Sequence, residues 1–374
     1  MLVFGDEYGL PRLLPHLPAG SLIGIVASAL RPDCLEGLRV LAGREQVPFA
    51  IQPGSGSLAY LDFLRQIRSL DPDFIIVHSY SRRLPSDLLA CARQGAVNVH
   101  SALLPRYRGP NPVQWAIIAG ERETGVTLHH LSQEFDGGDI VAQRALPIAF
   151  EDTWRDVYSR LEVATEHLLA ETLPALLAGR STRTPQDSRH ACSFPRRRPE
   201  DGRIDWRSSV VEIYNLIRAL VSPLPGAFYE TDGGTVVIDS YLRIPEVLGL
   251  KFGKAGSARL ESGGTRLTPC GAGDRSGLIA AGLPIPPDDA WESGNGWFAF
   301  LVVDRSGQNM GCCGWSVDWS AGSASVTLRW WEERSGRWPE VERLIRRVAR
   351  DELGLSTVVV DGPSERFVLD LDER

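Results

Sequence analysis

A chain of 374 residues with 43% apolar residues is long enough for two or three domains with real cores, which excludes a disordered polypeptide. Its formal net charge of −7 speaks against a protein built to grip phosphate backbones, and only Lys251 and Lys254 among its basic residues are lysines. Six scattered cysteines without a CxxC pair fit a reduced, cytoplasmic protein, and the acidic start MLVFGDEYGL with no long apolar run suits neither a signal peptide nor a membrane span.

In chain order, Met1 to Phe4 is an apolar strand that ends at Gly5, and Leu22 to Ala27 is a second. A helix follows from Cys34 to Ala42, then a strand from Pro48 to Ile51. Leu58, Leu61, Leu64, Ile67 and Leu70 fall at helical spacing, and Phe74 to Val77 is a fully apolar strand. This alternation predicts an α/β fold with a parallel, doubly wound sheet whose ligands lie at the carboxyl ends of the strands. The first strand lacks GxGxxG, which speaks against a nicotinamide or flavin site of the usual kind.

The stretch from Gly95 to Ile140 carries the chemistry-bearing side chains. Period-two alternation puts Asn98 and His100 on one face of a strand. A Pro/Gly-punctuated loop, a helix from Val113 to Ala119 and a β-branched strand from Thr124 to Leu128 follow. The stretch closes on Phe135-Asp136-Gly137-Gly138-Asp139. The His129-His130 pair reads as a strand end, and without partners at zinc spacing it gives no metal site. Beyond it, Glu151 to Gly179 is helical, with Asp152 or Thr153 as its cap and Pro174 expected to kink or interrupt its last turns.

Ser181 to Arg189 is a polar linker, and the basic run in Phe194 to Trp206 reads first as solvated linker and second as a contact for an anionic substrate. A capping box, Ser209 to Glu212, opens another helix. Short β-runs at Thr235 to Ile238, Ser257 to Leu260 and Thr265 to Leu267 predict a small β-rich domain ending near Gly282. After the Pro/Asp-rich boundary Pro284 to Asp289 come strands Trp297 to Asp304, Gly311 to Asp318 and Ala324 to Trp331, a helix from Pro339 to Leu353 and a strand from Thr357 to Asp361. The expected domains are therefore 1–180, 181–289 and 290–374, the last an α+β unit.

The strings NVHSALLPRYRGPNPVQWAI, GVTLHH and DGGDI, in this order, resemble the core of the 10-formyltetrahydrofolate-dependent formyltransferases, which include glycinamide ribonucleotide, methionyl-tRNA and sugar N-formyltransferases. The resemblance implies a Rossmann-like catalytic domain with Asn98, His100 and Asp136 as catalytic residues. It also implies 10-formyltetrahydrofolate as formyl donor, with a pterin pocket lined by Arg82, Arg83 and Leu84 and by Gln133, Gly137, Gly138 and Asp139. The segment 194–206 resembles the linker of the methionyl-tRNA and aminoarabinose enzymes, and the β-rich part resembles the open, OB-like barrel of the tRNA enzyme. Residues 290–374 resemble part of a GNAT-type acetyltransferase core. Their loop Ser335-Gly336-Arg337-Trp338-Pro339 has one glycine and a proline without N–H where a pyrophosphate needs free donors, so a degenerate unit is expected.

The residue types suit formyl transfer, which develops an oxyanion. Asn98 can donate to that charge without titrating, and His100 can bond the same oxygen or protonate the leaving nitrogen. Asp136 can favour a charged imidazole or take the proton that the attacking amine loses. Gly137 and Gly138 would let the backbone approach a flat ligand and adopt positive φ. The expected acceptor is a small-molecule primary amine of secondary metabolism or antibiotic biosynthesis, such as an amino sugar, an aminoglycoside or glycopeptide, or a hydroxyornithine. Methionyl-tRNA is the alternative, and nucleic acid is disfavoured because Ala29 to Leu41 holds only Arg31 and Arg39 as basic residues. A non-catalytic binding protein is the reading from a different class, and a homodimer is compatible with either.

Overall fold

The computed structural model describes residues 1–254, 260–262, 265–270, 283, 297–303, 309–330, 338–361 and 366–371. The chain divides into two compact units, Met1–Ala116 with Glu121–Arg197, and Ile117–Gly120 with Arg198–Arg374. No helix among the described residues is long and apolar enough to cross a membrane.

The first unit is built on β1 (Leu2–Gly5), β2 (Gly24–Ser28), β3 (Phe49–Gln52), β4 (Phe74–His78), β5 (Gly95–His100), β6 (Glu123–His130) and β7 (Ile140–Pro147), in the order β3-β2-β1-β4-β5-β6-β7. The first five strands run parallel, as the alternation predicts. Strands β6 and β7 are antiparallel additions at one edge. Strands β1, β2 and β4 are buried along their whole length, as expected of apolar runs covered on both faces. The order reverses between β1 and β4, which is a topological switch point.

The helices of this part of the chain are α1 (Leu10–Leu13), α2 (Leu35–Arg44), α3 (Leu58–Ser69), α4 (Ser86–Leu89), α5 (Pro112–Ile118) and α6 (Trp154–Leu177). Helix α3 forms where expected but buries Tyr60, Phe63, Leu64 and Ile67, leaving Leu58 and Leu61 exposed. The aromatic pair outweighs the leucine stripe because it carries more apolar area into the core. Helix α6 starts at Thr153, whose backbone N–H donates to Asp156 at 2.9 Å, and continues through Pro174 to Leu177 rather than breaking there.

In the second unit α7 (Val210–Arg218) begins at the expected capping box, with Ser209 accepting from the Glu212 N–H. Strands β8 (Ala227–Thr231) and β9 (Gly234–Ile238) form a hairpin, and α8 (Ile244–Gly249) runs into a π turn, Leu250–Lys254. A second seven-stranded sheet holds β10 (Glu261–Ser262), β11 (Thr265–Pro269), β12 (Trp297–Val303), β13 (Asn309–Asp318), β14 (Ser323–Trp330), β15 (Thr357–Asp361) and β16 (Arg366–Asp370), in sequence order. Strands β12 to β14 are the expected meander. Strands β14 and β15 are parallel, with α9 (Trp338–Arg347) between them in the chain. Strand β11 pairs with β12, from Arg266 opposite Val303 to Pro269 opposite Phe300, so one sheet draws strands from both sides of residue 289. Residues 284–289, Gly282, Trp291, Trp331 and the loop residues 335–337 lie outside the described residues.

A buried ion pair ties this unit together across the sequence. The Lys251 ammonium donates to Glu352 Oε2 at 2.5 Å and to the Ser208 carbonyl at 2.7 Å, and the Val210 N–H donates to the same Glu352 oxygen at 3.0 Å. Removing one partner strands a desolvated charge, whereas replacing both with apolar residues does not. Lys251→Met or Glu352→Leu alone should cost about 3–5 kcal/mol in urea unfolding, and the double variant should recover most of that loss.

Candidate active site

Strand β5 presents Asn98 and His100 at its carboxyl end, and the antiparallel β6 sets His129 opposite Asn98 and Thr127 opposite His100. Opposed residues on neighbouring strands project to the same face, so His129 lies beside the amide. Asn98 Nδ2 is 3.2 Å from His129 Nε2, and His129 Nδ1 is 2.9 Å from the His130 carbonyl. A carbonyl only accepts, so the Nδ1–H of His129 donates to it and Nε2 accepts from Asn98. One N–H of the amide is thereby fixed and the other remains available. Burial pushes the His129 imidazole down to about 4, against the opposing pull of the Asp136 charge.

The loop after β6 returns Asp136 to this face. Its Oδ2 lies 3.7 Å from His100 Nδ1, its Oδ1 lies 3.6 Å from His129 Nε2, and the Gly109 N–H donates to Oδ2 at 2.9 Å. His100 Nε2 is 2.8 Å from the Tyr107 carbonyl, so that nitrogen carries the proton of the neutral ring and Nδ1 faces the carboxylate as a proton acceptor. A second proton on Nδ1 would create an imidazolium directly opposite Asp136. All three side chains are at most 9% exposed, which strengthens their electrostatic coupling.

Of the residues singled out in the sequence, Asn98, His100 and Asp136 thus converge, and His129 joins them. His129 sits in the apolar-edged strand signal, and only the antiparallel register reveals its neighbour. Arg82, Arg83, Leu84 and Gln133 line a cleft of about 610 Å³, together with Gln52, Ser132 and others. Gly137, Gly138 and Asp139 do not line that cleft. The positive φ expected at the glycines falls on Asp136 itself, at +49°. Gly138 answers a different need, because a Cβ there would sit 1.9 Å from the His130 carbonyl oxygen. Asp139 closes the loop by accepting the His130 N–H at 2.8 Å.

The basic run after α6 is solvated at Arg196 and Arg198, as expected of a linker, and partly packed at Phe194 and Arg197. Phe194 stacks on Tyr107 at 5.1 Å and on Trp115 at 5.2 Å, Arg197 lies over the Trp115 ring, and Arg196 donates to the Ser81 carbonyl at 3.3 Å. The aromatic at 194 was the available signal: a half-buried ring stacked between two others anchors a segment that charge alone would leave in water.

Two buried imidazoles make stability depend on acidity. Burial also holds His78, at the end of β4, down to about 4, and its Nδ1 has no hydrogen-bond partner among the described residues. An unfolded chain protonates such groups near 6.5, the folded one only near 4, so the unfolded state binds more protons in that window. Thermal midpoints should fall as pH is lowered from about 6.5 towards 4, and His78→Gln should make the decline shallower.

Comparisons with known proteins place the chain among known relatives. Residues 52–173 match the formyl transferase family profile, and residues 197–255 match the formyl transferase C-terminal domain. A methionyl-tRNA formyltransferase of Geotalea uraniireducens is 37% identical over 236 residues, covering 61% of this chain and 74% of that protein. Among solved structures, a sugar N-formyltransferase from a Shewanella species aligns with a TM-score of 0.53 at 18% identity, covering 65% of this chain and 97% of the other. A 4-N formyltransferase from Francisella tularensis aligns with 0.54 at 17%, with the same coverage. These two structures share the fold. Sequence relationship, fold and the motifs together identify the chain as an enzyme of the formyltransferase family.

Proposed function

We propose that this enzyme moves a formyl group from 10-formyltetrahydrofolate to a primary amine of a small molecule, in a secondary-metabolic setting such as antibiotic biosynthesis. The observation that carries this reading is the convergence of Asn98, His100 and Asp136 at the end of β5. The loop that carries Asp136 also contributes Ser132 and Gln133 to the 610 Å³ cleft. That cleft suits the pterin of the donor: its size is that of an ordinary ligand pocket and no carboxylate among the described residues lines it. Gln52 donates to the Arg83 carbonyl at 3.3 Å and accepts from the Tyr80 hydroxyl at 2.8 Å, which fixes the backbone wall at Arg82 to Leu84. Bound there, 10-formyltetrahydrofolate would supply an activated formyl group.

The chain's own residues then divide the work. Asn98, oriented by His129, directs its free N–H at the developing oxyanion. His100 holds a proton at Nδ1 for the departing nitrogen, and Asp136 stabilises that proton and receives the one lost by the amine. Functionally, residues 1–180 would carry the chemistry, 181–289 the linker and β-rich part, and 290–374 a non-acetylating α+β part.

Both basic residues of 29–41 are internally engaged. Arg31 is held by Asp33 at 2.8 Å and approaches Asp6 at 3.5 Å, and Arg39 lies over Phe49. This favours a small acceptor over tRNA. The 37% identity with a methionyl-tRNA formyltransferase favours the second reading, formylation of initiator methionyl-tRNA.

His100→Ala and Asp136→Ala should each nearly abolish tetrahydrofolate release with unchanged circular dichroism, and Asn98→Ala should lose about two to three orders of magnitude. Near-wild-type turnover in His100→Ala would overturn the assignment. For the acceptor, a mass-spectrometric screen of amino sugars, aminoglycosides, glycopeptides and hydroxyornithine should be run beside initiator methionyl-tRNA. Formylation of a small amine and no salt-sensitive tRNA binding is the expected outcome, and efficient tRNA formylation would put the second reading first.

A further inference from the structure

Asp136 faces two imidazoles only because its backbone stays in the left-handed region, at φ +49°, where a residue with a side chain is rarely found. Such a conformation persists when its surroundings over-determine it. Its own carboxylate accounts for one restraint, the Gly109 N–H at 2.9 Å. The others come from one residue that the sequence placed in an unremarkable polar linker.

That residue is Gln186. Its Nε2 donates to the Asp136 carbonyl at 2.7 Å and to the Gly138 carbonyl at 2.7 Å, so it bridges the two peptide units around the turn. Its Oε1 accepts from Arg108 Nε at 3.1 Å and Nη2 at 2.8 Å. Both amide hydrogens and both carbonyl lone pairs are thereby used, which is the full capacity of a glutamine. Arg108 is 5% exposed, and its remaining arm meets Glu134 at 2.5 Å, in the same loop as Asp136. The backbone next to Arg108 supplies the other two contacts of the site: Tyr107 presents its carbonyl to His100, and Gly109 presents its N–H to Asp136.

The linker is itself held in register. Thr184 and Ile140 exchange backbone hydrogen bonds at 2.9 and 2.8 Å, Arg108 N–H donates to the Cys192 carbonyl at 2.9 Å, and Phe194 N–H donates to the Arg108 carbonyl at 3.0 Å. Gln186 therefore sits between two anchored points, with its side chain aimed at the loop that carries the carboxylate.

We propose that Gln186 is a positioning residue for formyl transfer: through Arg108 on one side and the Asp136 and Gly138 carbonyls on the other, it holds the Asp136 carboxylate against His100 and His129. The inference rests on the proposed role of Asp136. It explains why an amide is required. A glutamate would still accept from Arg108, but it offers no hydrogen to either carbonyl and sets a negative oxygen against both. A methionine fills the same space with neither arm.

The test is a double-mutant cycle on formyl transfer from 10-formyltetrahydrofolate to the amine that turns over fastest in the screen above. Gln186→Glu and Gln186→Met should each lower kcat by about 10- to 100-fold, the range for removing an outer partner of a reacting group, while the donor KM changes less than about threefold. In an Asp136→Asn background neither change should lower kcat further, because Gln186 acts through that carboxylate. Glutamate and methionine variants with matching losses and wild-type thermal midpoints would separate positioning from folding. A kcat within about threefold of wild type in both variants, or losses that multiply with that of Asp136→Asn, would overturn the proposal. Full activity in Asp136→Asn itself would instead overturn the reading of the site on which it rests.

Discussion

The site depends on one carboxylate held in a shielded place between two imidazoles. Asp136 lies 3.7 Å from His100 and 3.6 Å from His129, with side chains almost excluded from water. At such separations and in such an environment a charge is felt far more strongly than on a surface. The consequence is a division of labour between two rings of the same kind. His129 is kept neutral by burial and spends both nitrogens on orienting its surroundings. His100 spends one nitrogen on the Tyr107 carbonyl and turns the other towards the Asp136 carboxylate. Environment, rather than residue type, separates the two rings.

That arrangement is a product of the sheet. Five parallel strands deliver Asn98 and His100 to a carboxyl edge, but a parallel neighbour would not have set His129 opposite Asn98 in this way. The switch to antiparallel pairing at β6 does so, and it also brings the chain back within one short loop of the same edge. The loop is closed so tightly that Gly138 has no room for a Cβ, and the strain of the turn is carried by Asp136 instead of by the glycines.

Much of this was legible in the chain before folding. The alternation of apolar runs gave the parallel sheet, and the ordered strings around Asn98, His100 and Asp136 pointed to formyl transfer. Even the meander, helix and strand of the C-terminal part lie where their patterns put them. What escaped has a common physical cause. His129 depends on strand register, Gln186 acts on backbone carbonyls, and Phe194 packs on rings some eighty positions earlier in the chain. None of these is a local property. The exposed Leu58 and Leu61 of α3 teach the same lesson, since helical spacing was satisfied by two rival faces and only the core decides between them.

The Lys251–Glu352 pair has a consequence for synthesis. All seven strands of the first sheet are encoded within the first 147 residues, so that sheet can be completed while the ribosome is still translating the remainder. The second unit cannot follow suit. Glu352 is 101 residues downstream of Lys251, which at about 5–20 residues per second leaves the ammonium without its counter-charge for about 5 to 20 s. During that interval the Lys251 ammonium gains nothing by leaving water. The nascent chain thus carries a finished sheet ahead of a lysine whose burial has to wait for a carboxylate made about a hundred residues later.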